Sequence, residues 1–552
     1  MRVKQWLATA AVALAMMVGL NTPTIAQQPA ATVATVVIAP VERTLKDVSW
    51  LIEACNVPGV SGFFEIMGEN YTTGLDKTKP LGILVSLENG APKPLVCLPV
   101  ANAKEFFDKL GEASLQVDDL GDGMYEVGLG PQVFNAKSAN GWLYVGQNEE
   151  ALQNLPKNPA ELFGDYHKRY NFTVKIDLQQ LPEELKDMAI ENLRNGFEGA
   201  MAQAQAGKSD EEREAAEEMA ELQMAQIEEL VRSTQQVVLG WLIDSSKQQI
   251  HFDGAVQYVA GSKLAKQMES QAKLKSDFTG LVLPNSSVEF RVTSLATNEE
   301  DKKVAKQSMQ NSLDQIDAQL ENSSLPDEIA DAISEFAEGF VGIFEKTIDE
   351  GVVDGAASAS FTDDSVRILI GGRIADGHSL EAEIKKLVNK LPKTPDVKVE
   401  FDAGSYNGFN LHRVSIKVPS KEAKARAVFG DAVKVVVAGG DKAVLVCLDS
   451  AGDATIKAAI DSLKSKKGVD VTSPIQAALR LTGILKFAQN LNPNPVLENV
   501  IGVLGQYSGK DAIQVNSTVL PRGMVTRVSI DEGILRAIGS GVQAGQAARG
   551  GF

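Results

Sequence analysis

The stretch that decides the fold is LGILVSLENGAPKPLVCLPV, residues 81–100, which has two apolar runs on either side of a turn. The turn contains Asn89-Gly90, a dipeptide that favours the tight loops of β-hairpins, so the stretch predicts two paired strands. Apolar residues that share one helical face follow, and they predict a helix at 102–110. The block then continues with a strand at 124–127, a hairpin of 132–136 with 141–146, and a helix at 148–155.

The second half of the chain repeats this order of elements. GAASASFTDDSVRILI, residues 355–370, predicts a hairpin that turns at 362–364, and a helix is predicted at 379–391. These are followed by a strand at 409–418, a hairpin of 432–438 with 442–448, and a helix at 452–463. The two halves close with corresponding strand pairs, at 237–243 with 250–258 and at 513–519 with 525–531.

This recurrence predicts an α+β fold of two related units, each an antiparallel sheet with helices packed on one face. Chance similarity between common elements is the alternative. We place the first unit at 41–280, the second at 281–538, and a flexible tail of small and polar residues at 539–552.

Helical insertions are expected to distinguish the units. The first has an acidic helical hairpin at 182–235, and the second has helices at 297–320 and 326–349. Ser209 and Glu212 form a capping-box pattern that starts the second helix of the acidic hairpin. We expect that helix to dock by its apolar face and to turn its acids to water. Its apolar residues are Met219, Leu222, Ile227, Leu230 and Val231, and its acids include Glu211, Glu214, Glu218 and Glu221.

Residues 1–26 have the pattern of an export signal. Two basic residues precede the apolar run 7–20, and small residues offer a cleavage point before Gln27. The run is shorter than the roughly 20 residues that a bilayer span needs, so a cleaved signal is favoured over a retained anchor. We expect an exported, soluble protein, periplasmic or extracellular, with a linker at 27–40 and no stable transmembrane segment after cleavage.

Composition excludes several classes of function. The chain has 552 residues, and its 72 acidic against 54 basic residues give a net charge of −18, the opposite of what nucleic-acid binding needs. Four histidines and three cysteines leave little material for zinc or haem chemistry, and we assign no cofactor. Cys97 and Cys447 lie in apolar runs that predict buried strand positions, and a bridge between them stays open.

No residue is assigned a catalytic, cofactor-binding or metal-binding role. The histidines fit no helical zinc motif, and the patterns of a serine-nucleophile elbow and of a phosphate loop do not occur. His251 and Asp253 alternate on one side of a strand and could orient each other, but a solvated strand face is the favoured interpretation. Asp118 and Asp122 match part of a calcium loop, which fails because Leu129 stands where a bidentate Glu is required.

Several short stretches of sequence carry a resemblance to a known family. They are LDKTKPLG at 75–82, LPV at 98–100 ahead of Phe106-Phe107, GWLYVGQ at 141–147 and LGWLID at 239–244. The chain resembles a group of uncharacterised exported bacterial proteins, of the domain-of-unknown-function type, with two repeated α+β units. The resemblance covers most of 41–280 and is weaker beyond. It implies export and a repeated fold, and it implies no activity, ligand or site residue.

We therefore expect a non-enzymatic binding or structural protein of the bacterial envelope, with an unknown partner that could be basic. Two alternatives stay open. The first is a periplasmic carrier of an apolar or lipid molecule, which a large internal cavity in each unit would favour. The second is an unrecognised hydrolase, which a cleft gathering His251, Asp253 and other polar groups would favour.

Overall fold

The computed structural model describes residues 32–549, with gaps at 56–59, 89, 113–114, 205–209, 284, 297–298, 322, 324, 363–364 and 450–452. The described residues divide into two compact units. Unit 1 contains residues 32–204 and 226–259, and unit 2 contains 210–225 and the residues from 260 onward. Each unit is a mixed α+β structure built on an antiparallel sheet.

The strands of unit 1 are β1 Thr32–Ile38, β2 Leu81–Glu88, β3 Ala91–Pro99, β4 Gln116–Gly121, β5 Met124–Leu129, β6 Gln132–Ala139, β7 Trp142–Gly146, β8 Phe172–Asp177, β9 Thr234–Asp244 and β10 Gln249–Tyr258. They lie in the order β4-β5-β6-β7-β3-β2-β1-β8-β9-β10, and each neighbouring pair is antiparallel. The helices are α1 Val41–Ala54, α2 Val60–Tyr71, α3 Ala103–Glu112, α4 Pro159–Phe163, α5 Tyr166–Arg169, α6 Glu183–Ala204 and α7 Asp210–Ser233, the last belonging to unit 1 from Gln226 onward.

The sheet of unit 2 is formed by β12 Val288–Leu295, β13 Val352–Phe361, β14 Val366–Arg373, β15 Val397–Tyr406, β16 Phe409–Lys417, β17 Ala432–Gly440, β18 Ala443–Leu448, β20 Ile475–Arg480, β21 Ala512–Leu520 and β22 Gly523–Asp531. A separate short pair joins β11 Lys275–Ser276 to β19 Val469–Asp470. The helices are α8 Lys263–Gln271, α9 Glu299–Glu321, α10 Asp327–Asp349, α11 Gly377–Lys390, α12 Ala423–Phe429, α13 Asp453–Ser465, α14 Leu481–Leu491, α15 Pro495–Gln506 and α16 Glu532–Arg549. No described helix has a stretch long and apolar enough to cross a bilayer.

The strand order of unit 2 matches that of unit 1 position by position. It is β15-β16-β17-β18-β14-β13-β12-β20-β21-β22, again with antiparallel neighbours throughout. The hairpin β2–β3 therefore has the place in unit 1 that β13–β14 has in unit 2. The hairpin β6–β7 likewise has the place of β17–β18.

Helices also follow corresponding strands in the two units. A helix pair follows the first strand (α1–α2 and α9–α10), and another follows the eighth of the ten sheet strands (α6–α7 and α14–α15). One helix follows the third strand (α3 and α11) and one follows the tenth, namely α8, which itself belongs to unit 2, and α16. The helices that the sequence suggests as insertions thus stand at matching places in the element order of both units.

Helices cover both faces of the sheet in unit 2, which corrects the prediction that they pack on one face. Leu445 and Cys447 of β18 pack with Ile460 of α13 in one core cluster. Val444 alternates to the opposite face, where it packs with Leu380 of α11 in another cluster.

Helices also cover both faces of the sheet in unit 1. Leu143 of β7 packs with Phe107 of α3, whereas the adjacent Trp142 and Tyr144 pack with Phe163 of α4 on the other face. The central strands have consecutive apolar residues, so both faces of the sheet are apolar and both are buried by helices. The prediction of helices on one face did not take these unbroken apolar runs into account.

Two predictions of non-regular structure are also corrected. The linker expected at 27–40 contains β1, which pairs with both β2 and β8, so its low charge and β-branched residues are those of a buried central strand. The flexible tail expected at 539–552 is helical as far as Arg549, in α16. Ser540 of this helix is buried.

The helix expected at 148–155 is a single 3₁₀ turn, Glu149–Leu152. Asn148 caps it by accepting a hydrogen bond from the backbone N–H of Ala151. The two units divide near residue 260 rather than at the expected 280. Phe278, Leu281 and Leu283 pack into the core cluster of unit 2, which explains the earlier boundary.

The acidic helix α7 packs by only part of the apolar face that was expected. Met224 is buried and Ile227 is partly buried, but Leu230 is 44% exposed, so its expected burial is wrong. Met224, Ile227 and Val231 share one helical stripe, from which Leu230 is rotated away. Glu221 is exposed as expected. The side chains of Met219, Leu222, Glu211, Glu214 and Glu218 lie outside the described residues.

Candidate functional site

A cluster of polar side chains lies in unit 2, where α11 packs against the strands β15 and β16. Asp376 begins α11 as its N-cap, because its carboxylate accepts a hydrogen bond of 2.9 Å from the backbone N–H of Ser379. This bond and that from the Ser379 hydroxyl hold the pKa of Asp376 below its usual value. The apolar stripe Leu380 and Ile384 docks the helix on the sheet and turns Glu381 inward.

A bulge in β15 supplies the next carboxylate. Pairing between β15 and β16 slips between Glu400 and Gly404, so that three residues face His412 alone. Asp402 sits in the bulge with a left-handed backbone, φ +49°. The Lys385 ammonium on α11 lies 2.9 Å from the Asp402 carboxylate, which ties the bulge to the helix.

Glu381 is at the centre of the cluster and is buried. Its carboxylate accepts a hydrogen bond of 2.6 Å from Lys385 Nζ and one of 3.1 Å from Asn410 Nδ2. Burial raises the pKa of Glu381, but these hydrogen bonds and the positive charge of Lys385 outweigh it, so the net shift is downward. Hydrogen bonds to Glu381 and to Asp402 raise the pKa of Lys385. The pair is therefore ionised and mutually neutralised.

His412 is the one buried group of the cluster that keeps an unused hydrogen-bonding atom. Its Nδ1 accepts a hydrogen bond of 3.1 Å from the backbone N–H of Asp402, so the neutral ring carries its proton on Nε2. That Nε2 lies 3.4 Å from Oε1 of Glu381 but makes no hydrogen bond with a described residue. The ring of Phe401 packs edge-on against the imidazole, 5.7 Å between centroids.

These residues fit a metal ion poorly. Within the described part of the chain, ligand atoms of Glu381, Asp402 and His412 lie within 4.8 Å of one another. The Lys385 ammonium already bridges the two carboxylates and takes the place that a cation would need. A histidine that binds a metal through Nε2 normally donates from Nδ1, whereas here Nδ1 accepts. The cluster fits a neutralised ionic network that holds α11 on the sheet.

A small cavity of about 40 Å³ adjoins the cluster. Its wall is mostly aliphatic and aromatic, with Leu380, Ile384, Val399, Phe401 and Val437 among the lining residues. It is large enough for one or two water molecules, and it is far below the roughly 300 Å³ at which small-molecule sites begin.

Large apolar side chains are exposed on the sheet of unit 2, beside the strands that α11 covers. Phe290, Ala357 and Ile370 are cross-strand neighbours on β12, β13 and β14. Phe290 is 44% and Ile370 is 49% exposed, and the smaller Ala357 lies between them. We call Phe290, Ala357 and Ile370 sheet surface 2. Leu369, next to Ile370, points to the opposite face and is buried in the core.

Unit 1 has an exposed apolar surface on its last strands. Trp241 of β9 and Phe252 of β10 are cross-strand partners whose rings stack with centroids 5.9 Å apart. Phe252 is 43% exposed and Leu239 is 54% exposed. Ile176 of β8 extends the same face. We call Ile176, Leu239, Trp241 and Phe252 sheet surface 1. Exposed apolar groups that are contiguous in this way mark interaction sites more often than single ones do.

The pair singled out in the sequence is not on a solvated strand face. His251 and Asp253 are both buried, which makes the favoured interpretation wrong. The Asp253 carboxylate accepts a hydrogen bond of 2.8 Å from the Tyr170 hydroxyl. Asp118 and Asp122 lie in the β4–β5 hairpin, where Asp122 takes a left-handed turn conformation.

Sequence reasoning missed the cluster around Glu381, because its members come from one helix and two strands. The nearest signal was the spacing of Glu381 and Lys385, an i,i+4 pair. The sheet surfaces left a clearer signal, since unbroken apolar runs mark both β9 and β14.

The described cysteines, Cys55, Cys97 and Cys447, form no disulfide with one another. Burial raises the pKa of Cys97 and of Cys447 to about 12, so both are inert thiols in the cores of their own units.

Comparison with known proteins adds no relative. No protein-family model, no curated protein and no solved structure matches the chain.

Proposed function

We propose that the chain is an exported, non-enzymatic binding protein of the bacterial envelope, which holds its partner on open apolar sheet surfaces. The observation that carries this proposal is sheet surface 2, where Phe290 and Ile370 expose nearly half of their side chains on a regular sheet. Burying an aliphatic or aromatic side chain releases roughly 1.5–3 kcal/mol, so such a surface favours occupation by a partner. The export signal at 1–26 supports an envelope location.

The internal cavity of unit 2 gives no support to a carrier of an apolar ligand. The cavity between α11 and the sheet, about 40 Å³, is too small for an acyl chain. A hydrolase gains no support from His251 and Asp253, since both are buried and Asp253 is bonded to Tyr170.

We further propose that the two units are internal repeats of one ancestral unit. The support is the matching order of ten strands and the matching places of the helices. Superposition should then pair Cys97 with Gly371 and Tyr144 with Leu445, because the cross-strand pairs Cys97–Tyr144 and Gly371–Leu445 each lie two residues from the pair that closes the matched hairpin. A best superposition that shifts the strands by one place would contradict the repeat.

The binding proposal is tested with the full chain immobilised and exposed to the native envelope fraction. We expect the double variant Phe290→Ser/Ile370→Ser to lose the material that the unmodified chain retains. The matched control is Leu162→Ser/Val469→Ser, which removes two exposed apolar side chains outside both sheet surfaces. Equal retention by all three proteins would count against the proposal, and equal losses in both variants would show a general effect of surface hydrophobicity.

A further inference from the structure

Unit 1 has an open groove between α1 and α2, away from both sheet surfaces. Its volume is about 420 Å³. Leu45, Trp50 and Glu53 line it from α1, and Glu65 and Glu69 line it from α2. Trp50 and Glu53 are three residues apart and Glu65 and Glu69 are four apart, so each pair shares one helical face along the groove.

The charge of the groove is one-sided. Three glutamates line it, against the single base Lys46. Glu65 and Glu69 are exposed, and neither makes an ion pair with any residue that the structure describes. The two glutamates of α2 are therefore available to an incoming cation.

The groove also offers apolar contact. Leu45 and Trp50 line its wall and are partly buried, so each leaves part of its apolar side chain open to the groove. An indole face flanked by carboxylates suits the side chains of lysine and arginine, whose alkyl stems pack on apolar surface while the charge meets the ring and the acids.

The helix pair at the matching place of unit 2 is packed differently. There α9 and α10 meet through the buried residues Leu313, Ala337 and Val341. Across that pair, Lys306 forms an ion pair of 2.5 Å with Asp349, so an acid of α10 is neutralised within the pair. Glu65 and Glu69 without ion pairs to described residues, and the open groove beside them, are thus features of the α1–α2 pair.

We propose that the α1–α2 groove binds a basic amphipathic helix of a partner protein. Two parallel or antiparallel helices leave a seam that a third helix fills by side-chain packing. α1 has 14 residues, so a partner helix of about that length, ~21 Å, would match it. The apolar side of such a helix would meet Leu45 and Trp50, and its lysines or arginines would meet Glu65 and Glu69. A second copy of this chain is a poor occupant, because its net charge is −18.

The test uses the full chain and a labelled peptide of about 14 residues, with leucines at the a and d positions of a heptad and lysines elsewhere. A peptide with glutamates in place of the lysines is the matched control peptide. Fluorescence anisotropy at about 0.15 M salt, where the Debye length is about 8 Å, reports binding. We expect the lysine peptide to bind and the glutamate peptide to fail. Glu65→Gln/Glu69→Gln should weaken binding at least about tenfold, and Trp50→Ala should weaken it as well.

The control is Glu184→Gln/Glu191→Gln, which removes the same charge from exposed positions of α6 in the same unit. It should leave peptide affinity unchanged, as should Phe290→Ser/Ile370→Ser, so the groove and the sheet surfaces are separable. Unchanged thermal melting of each variant establishes that it is folded. Equal weakening by the α6 control would overturn the proposal in favour of general electrostatics. Self-association in sedimentation that the Glu65/Glu69 variant abolishes would overturn it in favour of a second copy.

Discussion

At the scale of single residues, the two buried cysteines test how tightly each unit is packed. Cys97 and Cys447 are free and fully buried, and burial raises the pKa of each thiol to about 12. Because the thiolate is the reactive form, neither should react with iodoacetamide at pH 8 while the chain is folded. Peptide mapping should find both modified only after addition of denaturant. Rapid labelling of either thiol in the native chain, or a disulfide between them, would contradict this packing.

A second prediction concerns Glu381. Its folded-state pKa is lowered below 4.5, so the stability it contributes is present above about pH 4.5 and is lost as the pH falls through the lowered value. Glu381→Gln should cost about 2 kcal/mol at pH 7, since hydrogen bonds from Lys385 and Asn410 to a charged acceptor are weakened. Urea unfolding at pH 7 and pH 3 measures the effect.

The cost of Glu381→Gln should shrink at pH 3, where the native carboxyl also begins to lose its charge. Asp402→Asn, which changes the exposed partner of Lys385, is the control and should cost less. A larger cost at pH 3 than at pH 7 would mean that the ionised form is not the stabilising one.

At the scale of elements, Asp354 ties the segment at β11 to the sheet strand β13. Its carboxylate accepts hydrogen bonds from the hydroxyls of Ser276 and Thr293 and from the backbone N–H of Asp277. Burial raises its pKa above 3.8 despite these bonds, so ionisation costs the folded state stability as the pH rises from 3.8 through the raised value. Ser276→Ala removes one donor, and should raise the pKa further and cost about 1–3 kcal/mol near neutral pH.

Chemical unfolding between pH 4 and pH 8 checks this prediction. The loss caused by Ser276→Ala should be smallest at the acid end, because a protonated Asp354 depends less on its donors. Ser246→Ala, at an exposed turn of unit 1, is a suitable control. A loss that grows toward acid pH would mean that the protonated carboxyl depends on Ser276 more than the carboxylate does.

The acidic helix α7 gives a prediction about its docking face. Met224 is buried, so Met224→Ala should cost about 2–5 kcal/mol, as large-to-small core changes do. Leu230 is 44% exposed, so Leu230→Ala should stay within about 0.5 kcal/mol. Thermal melting of the two variants compares them directly. Similar losses in both would mean that Leu230 also supports the helix.

Local patterns predicted elements well where the signal was contained in neighbouring residues. The hairpins β2–β3, β13–β14 and β17–β18 and the helices α3, α9, α10, α11 and α13 lie close to their predicted places, because turn residues and helical periodicity are local. β1 was missed because a strand buried on both faces does not alternate. The cluster at Glu381 was missed because a bulge at Asp402 brings its side chains together, and no local sequence pattern predicts that bulge.

At the scale of the whole molecule, similar phrases in the two halves are not always equivalent positions. Leu95-Val96-Cys97-Leu98 lies in β3 and Leu445-Val446-Cys447-Leu448 lies in β18, whose counterpart in unit 1 is β7. The order of the elements was the more reliable signal of equivalent positions, since it depends on how the chain connects the strands rather than on short stretches of similar sequence. Composition, in turn, indicated an acidic chain, but it could not indicate which acids are left unpaired at the α1–α2 groove.

The last prediction concerns the start of the mature chain. The cleavage that we propose before Gln27 would leave β1 intact, because this strand begins at Thr32 and lies between β2 and β8. A chain that starts at Gln27 should therefore melt at the same temperature as the full chain, and one that starts at Ala39 should lose the cooperative unfolding of unit 1. N-terminal sequencing of exported material should return Gln27 or a neighbouring residue. Exported material that begins at Met1 would rule out the cleaved signal, and a chain starting at Ala39 with unchanged melting would show that β1 is dispensable to its sheet.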